Sequence, residues 1–191
     1  MNYTRVFADG HSYFLTLVTY RRQPFLTTHI DLLREAFRQS RVHYRYRIDA
    51  IVILPDHLHM IITPENTLEY PKIIHYIKRH FVYGLPDTVK QTAKLLLTPS
   101  QYRRGHSGIW QSRYYEHTIR NEQDLDEKTV YIRNNPVKHG ICETWDKWQY
   151  SSFTRRSHPK GISFRAYSPE YDKCHAYQNK PLHNTNIHRP E

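Results

Sequence analysis

Two apolar segments, 47–54 (RIDAIVIL) and 57–63 (HLHMIIT), are parted by nothing more than a Pro55-Asp56 turn. Each is rich in β-branched residues, and proline followed by aspartate is turn chemistry, so the pair predicts an antiparallel hairpin. A lone hairpin is marginal in water and needs further strands or a covering helix. The surrounding sequence supplies both. Residues 12–20 (SYFLTLVTY) alternate as a strand, with Tyr13, Leu15 and Leu17 on one face and Phe14, Thr16 and Val18 on the other. Residues 28–44 read as a helix, with Ile30, Leu33 and Phe37 at three- and four-residue spacing and Thr28 as its cap. A second helix covers 68–83, its stripe made by Ile73, Ile74, Ile77 and Phe81 and its solvent side by Lys72, His75, Lys78, Arg79 and His80.

The pattern weakens from Pro86 to Gly108, where a short helix near 89–97 leads into a basic loop with Arg103, Arg104 and His106. Residues 113–120 (RYYEHTIR) read as a fourth strand. Residues 122–134 read as a third helix, capped by Asn121 and stopped at Asn135-Pro136, because proline disfavours helix in the residue before it. The order is β-α-β-β-α-β-α. It predicts an α+β fold: a ferredoxin-like four-stranded antiparallel sheet with helices on one face, plus the third helix. A domain over 1–156 is expected, followed by a basic, poorly structured tail over 157–191, where Pro, His, Asn and Lys accumulate.

Lys and Arg number 28 against 18 Asp and Glu, a formal charge of +10, which favours a polyanionic partner such as nucleic acid. Cys142 and Cys174 are the two cysteines and form no CxxC, which excludes a disulfide framework and a four-cysteine zinc site. No apolar run is long enough to span a membrane, and the first ten residues hold no signal-type apolar core. The expectation is a cytoplasmic protein.

Three features carry chemistry. His57 and His59 stand two apart on a strand, so they share a face and could meet one metal ion, with Leu58 turned to the core. Fourteen histidines make such a tripeptide cheap, and a pair of surface imidazoles fits equally. Tyr131 and Asn135 stand one helical turn apart. An amide oxygen suits Mg²⁺ or Mn²⁺, and a phenol can act as a nucleophile when assisted; a packed tyrosine and a helix stop fit as well. Finally, basic residues are interleaved with aromatics from Arg103 and Arg104 through Trp110, Arg113, Tyr114, Tyr115 and Arg120 to Trp145, Trp148 and Tyr150, a pattern suited to phosphates and unpaired bases.

As an ordered set, four stretches resemble the REP-associated tyrosine transposases, a branch of the single-tyrosine HUH transposases. They are Leu54-Pro55-Asp56-His57-Leu58-His59, the run Ile109 to Arg120 (IWQSRYYEHTIR), the run Tyr131 to Gly140 (YIRNNPVKHG), and Trp148-Gln149-Tyr150-Ser151-Ser152. The resemblance covers about residues 10–153. It implies an HUH-type fold acting on single-stranded or hairpin-bearing DNA. It implies His57, His59 and Asn135 as ligands of Mg²⁺ or Mn²⁺, and Tyr131 as the nucleophile that forms a 5′-phosphotyrosine. Lys72, Lys78, Arg79, Arg103, Arg104, Arg113, Tyr115, His117, Arg120 and Lys138 are the expected DNA contacts. A monomer is expected over a homodimer. The stretch 85–108 and the tail depart from the pattern. Two other readings use the same fold: a non-catalytic DNA- or RNA-binding regulator, and an RNA-recognition sheet, though no aromatic RNA-binding strand motif is evident.

Overall fold

The computed structural model describes residues 11–154. The elements run β1 (Tyr13–Val18), α1 (Phe25–Thr28), α2 (Ile30–His43), β2 (Tyr46–Ile53), β3 (His57–Pro64), α3 (Tyr70–Gly84), α4 (Asp87–Leu95), α5 (Pro99–Arg103), β4 (Tyr115–Thr118) and α6 (Glu122–Lys138). The four strands form one sheet in the order β2-β3-β1-β4, every neighbouring pair antiparallel. This is the predicted ferredoxin-like arrangement. The expected tail over 157–191 lies outside the described residues.

The period of two sorts the sheet into two faces. Tyr13, Leu15 and Leu17 of β1 join Leu58, Met60 and Ile62 of β3 on one face, where α2 and α3 bury Leu33, Phe37, Ile73, Ile74, Ile77 and Phe81. The other face carries Phe14, Val52, Leu54 and Ile61, covered by Ile132 of α6. Full burial of such side chains stabilises by about 1.5–3 kcal/mol each, so both faces are firmly committed. Strict alternation would put Ile48 and Ala50 together, but the register against β3 shifts between them. The irregularity at Asp49 sends Ile48 to the first core and Ala50 to the second. The free edge of β2 is partly covered: Ile53 N–H donates to Tyr150 O at 2.8 Å and Ser152 N–H to Ile51 O at 2.9 Å.

Four local expectations need correcting. Thr28 does not cap a long helix; it ends the short α1, its hydroxyl donating to Pro24 O, and His29 (φ −117°, ψ 41°) breaks the chain before α2. The fourth strand is shorter than 113–120 because only Tyr115–Thr118 find partners on β1. The stretch 86–108 is two helices rather than one helix and a loop. The second begins with a capping box, Thr98 and Gln101 bonding reciprocally with Pro99 in the first turn, and its final residue is Arg103. Gly108 lets this appendage close, since its φ is +73° and a Cβ there would lie 2.3 Å from Ala93 O. Finally, α6 does not stop at Asn135. It runs through Pro136 to Lys138, and His139 N–H still reaches Asn135 O at 3.1 Å. Burial of Ile132 and Pro136 offsets the hydrogen bond that proline cannot donate.

Candidate active site

Directly opposite residues of an antiparallel pair share a face, and the register lines up Tyr115, Thr16, His59 and Val52 across the four strands. Thr16 Oγ1 lies 2.8 Å from His59 Nδ1. With Nδ1–H donating to the hydroxyl, Nε2 keeps a lone pair; the other tautomer would leave a buried N–H unpaired. That Nε2 is fully buried and has no partner. His57, at the start of β3, donates Nδ1–H to Asp56 Oδ1 at 2.6 Å, which likewise frees its Nε2. Arg22 Nη1 approaches Asp56 Oδ2 and His57 Nδ1, both at 3.3 Å; the carboxylate is its hydrogen-bond partner, because the imidazole proton already points at Asp56. Burial disfavours the Asp56 anion, but its bonds to His57 and Arg22 outweigh this and hold the carboxyl below its usual range. Burial, reinforced by the charges of His57, His139, Arg22 and Lys138, pushes His59 down to about 3, so it is neutral at physiological pH.

Helix α6 lies across these imidazoles. The Tyr131 ring meets the His59 ring edge to face at 5.1 Å, and Phe14 at 5.8 Å. Two turns on, the His139 ring stands 4.9 Å from that of His57. The histidine rings themselves are 5.0 Å apart. Tyr131, Asn135 and His139 form one row at four-residue spacing, so the two outer contacts bracket Asn135 over the imidazole pair. Asn135 is wholly buried, and neither its Oδ1 nor its Nδ2 has a partner. Three orphaned buried polar atoms from two elements therefore gather at one place, where orphans are otherwise rare. Two imidazole nitrogens and an amide oxygen fit a divalent ion such as Mn²⁺ or Mg²⁺. Among the described residues no three His, Cys, Asp or Glu side chains cluster as a metal site, so an ion here would depend on the amide. The phenol remains reachable, with Tyr131 37% exposed and the Lys138 ammonium 5.1 Å from its ring centroid.

The other expected contacts scatter. Tyr115 is on the site face, exposed, and touches Phe14 edge-on at 6.2 Å. His117 is also on this face, but its Nε2 donates to Asp124 Oδ2 at 2.7 Å in the first turn of α6, where it braces the helix. Burial raises the Asp124 carboxyl, and its bonds from His117 and the Arg120 N–H more than reverse this. Arg113 and Arg120 are exposed beside β4, and Arg103 and Arg104 at the end of α5. Lys72, Lys78 and Arg79 ride on α3, behind the opposite face of the sheet from His57. Lys78 is not the solvated cation its spacing suggests: it is half-buried, donates to Gln111 O at 2.7 Å, and burial lowers it to about 8. Sequence reasoning missed Arg22, Asp56, Thr16 and His139; for His139, the continuation of the 131–135 spacing was the available signal.

The comparisons with known proteins bear on the family and the fold. Residues 8–135 match the family model described as "Transposase IS200 like". The chain is 43% identical over 156 residues to a Haemophilus influenzae protein named for the REP-associated tyrosine transposases, covering 81% of this chain and 86% of that one. It is 32% identical over 155 residues to the REP-associated tyrosine transposase of Escherichia coli K12, covering 80% and 82%. Among solved structures it resembles a REP-associated tyrosine transposase bound to a REP hairpin, with TM-score 0.65, 28% identity, and coverage of 88% of this chain and 97% of that one. A family model spanning most of the chain, close relatives along most of its length and a sheet that presents the expected side chains on one face lead to one conclusion: the chain belongs to the IS200-like transposase family, whose members are DNA-cleaving enzymes.

Proposed function

We propose that this chain is a single-strand DNA endonuclease and strand transferase of the REP-associated type, acting on hairpin-bearing repeat DNA through a 5′-phosphotyrosine. The observation that carries the reading is the α6 row, which sets the accessible Tyr131 on His59 while bracketing the orphaned Asn135 amide over the imidazole pair. The REP hairpin bound to the structural relative supports a hairpin substrate. His57, His59 and Asn135 would hold Mg²⁺ or Mn²⁺, which when bound polarises the scissile phosphate and offsets its developing charge.

The chain's own residues do the rest. Asp56 and Thr16 fix the two imidazoles in the tautomer that offers Nε2. Phe14 and His59 hold the Tyr131 ring, so the phenol oxygen approaches along one path. That oxygen forms a bond to phosphorus as the bond from phosphorus to the 3′-oxygen breaks. The phenol proton leaves to solvent and the departing 3′-oxygen takes one up. Lys138 sets positive charge beside the ring where negative charge has to pass. One phosphodiester replaces another, so a second 3′-hydroxyl can reverse the step and join new ends.

The test is labelled hairpin DNA with a single-stranded flank, incubated with protein and Mn²⁺ and run on a denaturing gel. A covalent adduct that Tyr131→Phe abolishes and a chelator prevents supports the proposal. DNA binding without cleavage, indifferent to metal, would leave a binding protein in its place.

A further inference from the structure

The residues assigned above leave one piece of the site rim without a task. Between β1 and α1 the chain makes a tight turn, Tyr20–Arg22, in which Arg21 and Arg22 both take left-handed backbone conformations, φ 52° and 57°. Among the described residues these two alone combine a positive φ with a side chain other than glycine's. The conformation crowds any Cβ, and arginine has none of the local hydrogen bonding that eases asparagine into it. The turn is over-determined by its surroundings. Thr19 is buried; its N–H donates to Asp56 O at 2.8 Å, and its hydroxyl lies 2.9 Å from the same carbonyl and 2.7 Å from Gln23 O. Tyr20 N–H donates to Ile109 O at 2.8 Å. Backbone held in this way at a site rim points to a use for the side chains it aims.

Arg22 is aimed inward. Asp56 takes the His57 N–H on one carboxylate oxygen and the Arg22 guanidinium on the other. The guanidinium is therefore fixed one imidazole ring away from the Nε2 that faces Tyr131's side of the sheet. Its side chain is still 58% exposed, and its described side-chain bonds use Nη1 alone, so the rest of the fork is open. The surrounding charge also asks for an anion: Arg22 lies 3.3 Å from Asp56 and the Lys138 ammonium 5.1 Å from the Tyr131 ring centroid, so two cations stand by the site.

We propose that Arg22 is a phosphate-binding residue of the catalytic site, fixed by Asp56 so that its open edge takes a non-bridging oxygen of the scissile phosphate. The inference rests on the DNA-cleaving function proposed above and adds to it a residue of defined chemistry. A planar fork of donors matches two phosphate oxygens and gains most as negative charge builds on them during attack. No bond to Arg22 forms or breaks.

The test uses the full chain as wild type, Arg22→Ala, Arg22→Gly and Arg22→Lys, with Mn²⁺ and hairpin DNA. Single-turnover cleavage should slow on the order of 100-fold in the alanine and glycine variants and less in the lysine variant. Mn²⁺ affinity without DNA should stay within about twofold, because the ligands themselves are untouched. Wild type should lose affinity for a hairpin bearing one neutral methylphosphonate at the contacted position of the flank; Arg22→Ala should not discriminate. Arg22→Gly should melt no lower than wild type, since glycine is at home at that φ. Unchanged cleavage in Arg22→Ala overturns the proposal. So does a loss matched by an equal fall in Mn²⁺ affinity, which would make Arg22 a positioning residue for His57. If wild type forms no Tyr131 adduct, the cleavage function fails separately, and the methylphosphonate comparison decides the phosphate contact by itself.

Discussion

Replacing Asn135 by leucine should make the metal-free protein more stable and deprive it of stabilisation by Mn²⁺. Leucine has the same branching as asparagine, and the site is completely buried. Both amide atoms lack partners there. A buried amide without partners costs about 1–3 kcal/mol by protein mutational measures, and two methyl groups in its place carry no such cost. A gain of about 2 kcal/mol in chelator follows, or a rise of about 4–8 °C in Tm for a chain of this size. Mn²⁺ at a hundred times its Kd should stabilise wild type by about 2.7 kcal/mol and the variant far less, so the order of the two melts narrows or inverts on adding metal. Thermal or urea melts with chelator and with Mn²⁺ read both quantities. The reasoning fails if Asn135→Leu melts below wild type in chelator, because the amide would then be satisfied in the fold. It fails equally if Mn²⁺ raises both proteins alike.

Four further outcomes follow from the same contacts. Tyr131→Phe should lower adduct formation by more than about 10³-fold while DNA binding by gel shift stays near wild type, since the ring contacts survive and only the nucleophile is lost. His59 is held at about 3 against an ordinary 6.5, so the folded chain binds fewer protons than the unfolded one in that window; stability is intact above pH 6.5 and falls on the order of a few kcal/mol toward pH 3, and His59→Gln should flatten the fall in urea midpoints. Asp124→Ala removes the acceptor of both His117 and the Arg120 N–H at the start of α6, and should cost about 1–3 kcal/mol by urea melts. Gly108→Ala puts a Cβ against Ala93 O at a left-handed φ, and should cost several times the roughly 1 kcal/mol of left-handed backbone alone; limited proteolysis should then cut first within 86–108.

What could be read from the residues, and what could not, divides along physical lines. A strand's period of two puts His57 and His59 on one face wherever the strand sits, and a helix's near-period of four puts Tyr131 with Asn135. Both facts hold before any tertiary contact is known, which is why the four side chains were legible. That they meet each other was not, because it depends on α6 covering the face of the sheet opposite α2 and α3, and the stripe along α6 is too mixed to announce it. Pro136 misled about the end of the row: its local preference is a stop, but the burial around it wins, and so His139 reaches His57 unseen. The appendage hid behind its basic residues although Thr98-Pro99-Ser100-Gln101 carries a readable capping signal.

Arg21 and Arg22 mark the limit of reading residues in order. Left-handed backbone is signalled by glycine or asparagine, and a pair of arginines reads as solvated loop charge. What bends them is the carbonyl of Asp56, thirty-four positions beyond Arg22 along the chain, together with Ile109. The same Asp56 orients His57, so one turn residue serves both the fold's strain and the site's tautomer. Side-chain substitution leaves the carbonyl in place and separates the carboxylate's two contacts: Asp56→Asn keeps an acceptor for the imidazole but deprives the guanidinium of its charge partner. It should therefore slow cleavage with a small change in Mn²⁺ affinity, whereas Asp56→Ala should weaken both. Wild-type rates of single-turnover cleavage in Asp56→Asn would mean that the carboxylate's charge plays no part in holding Arg22, and equal loss of Mn²⁺ affinity in both variants would mean that a neutral acceptor does not orient His57.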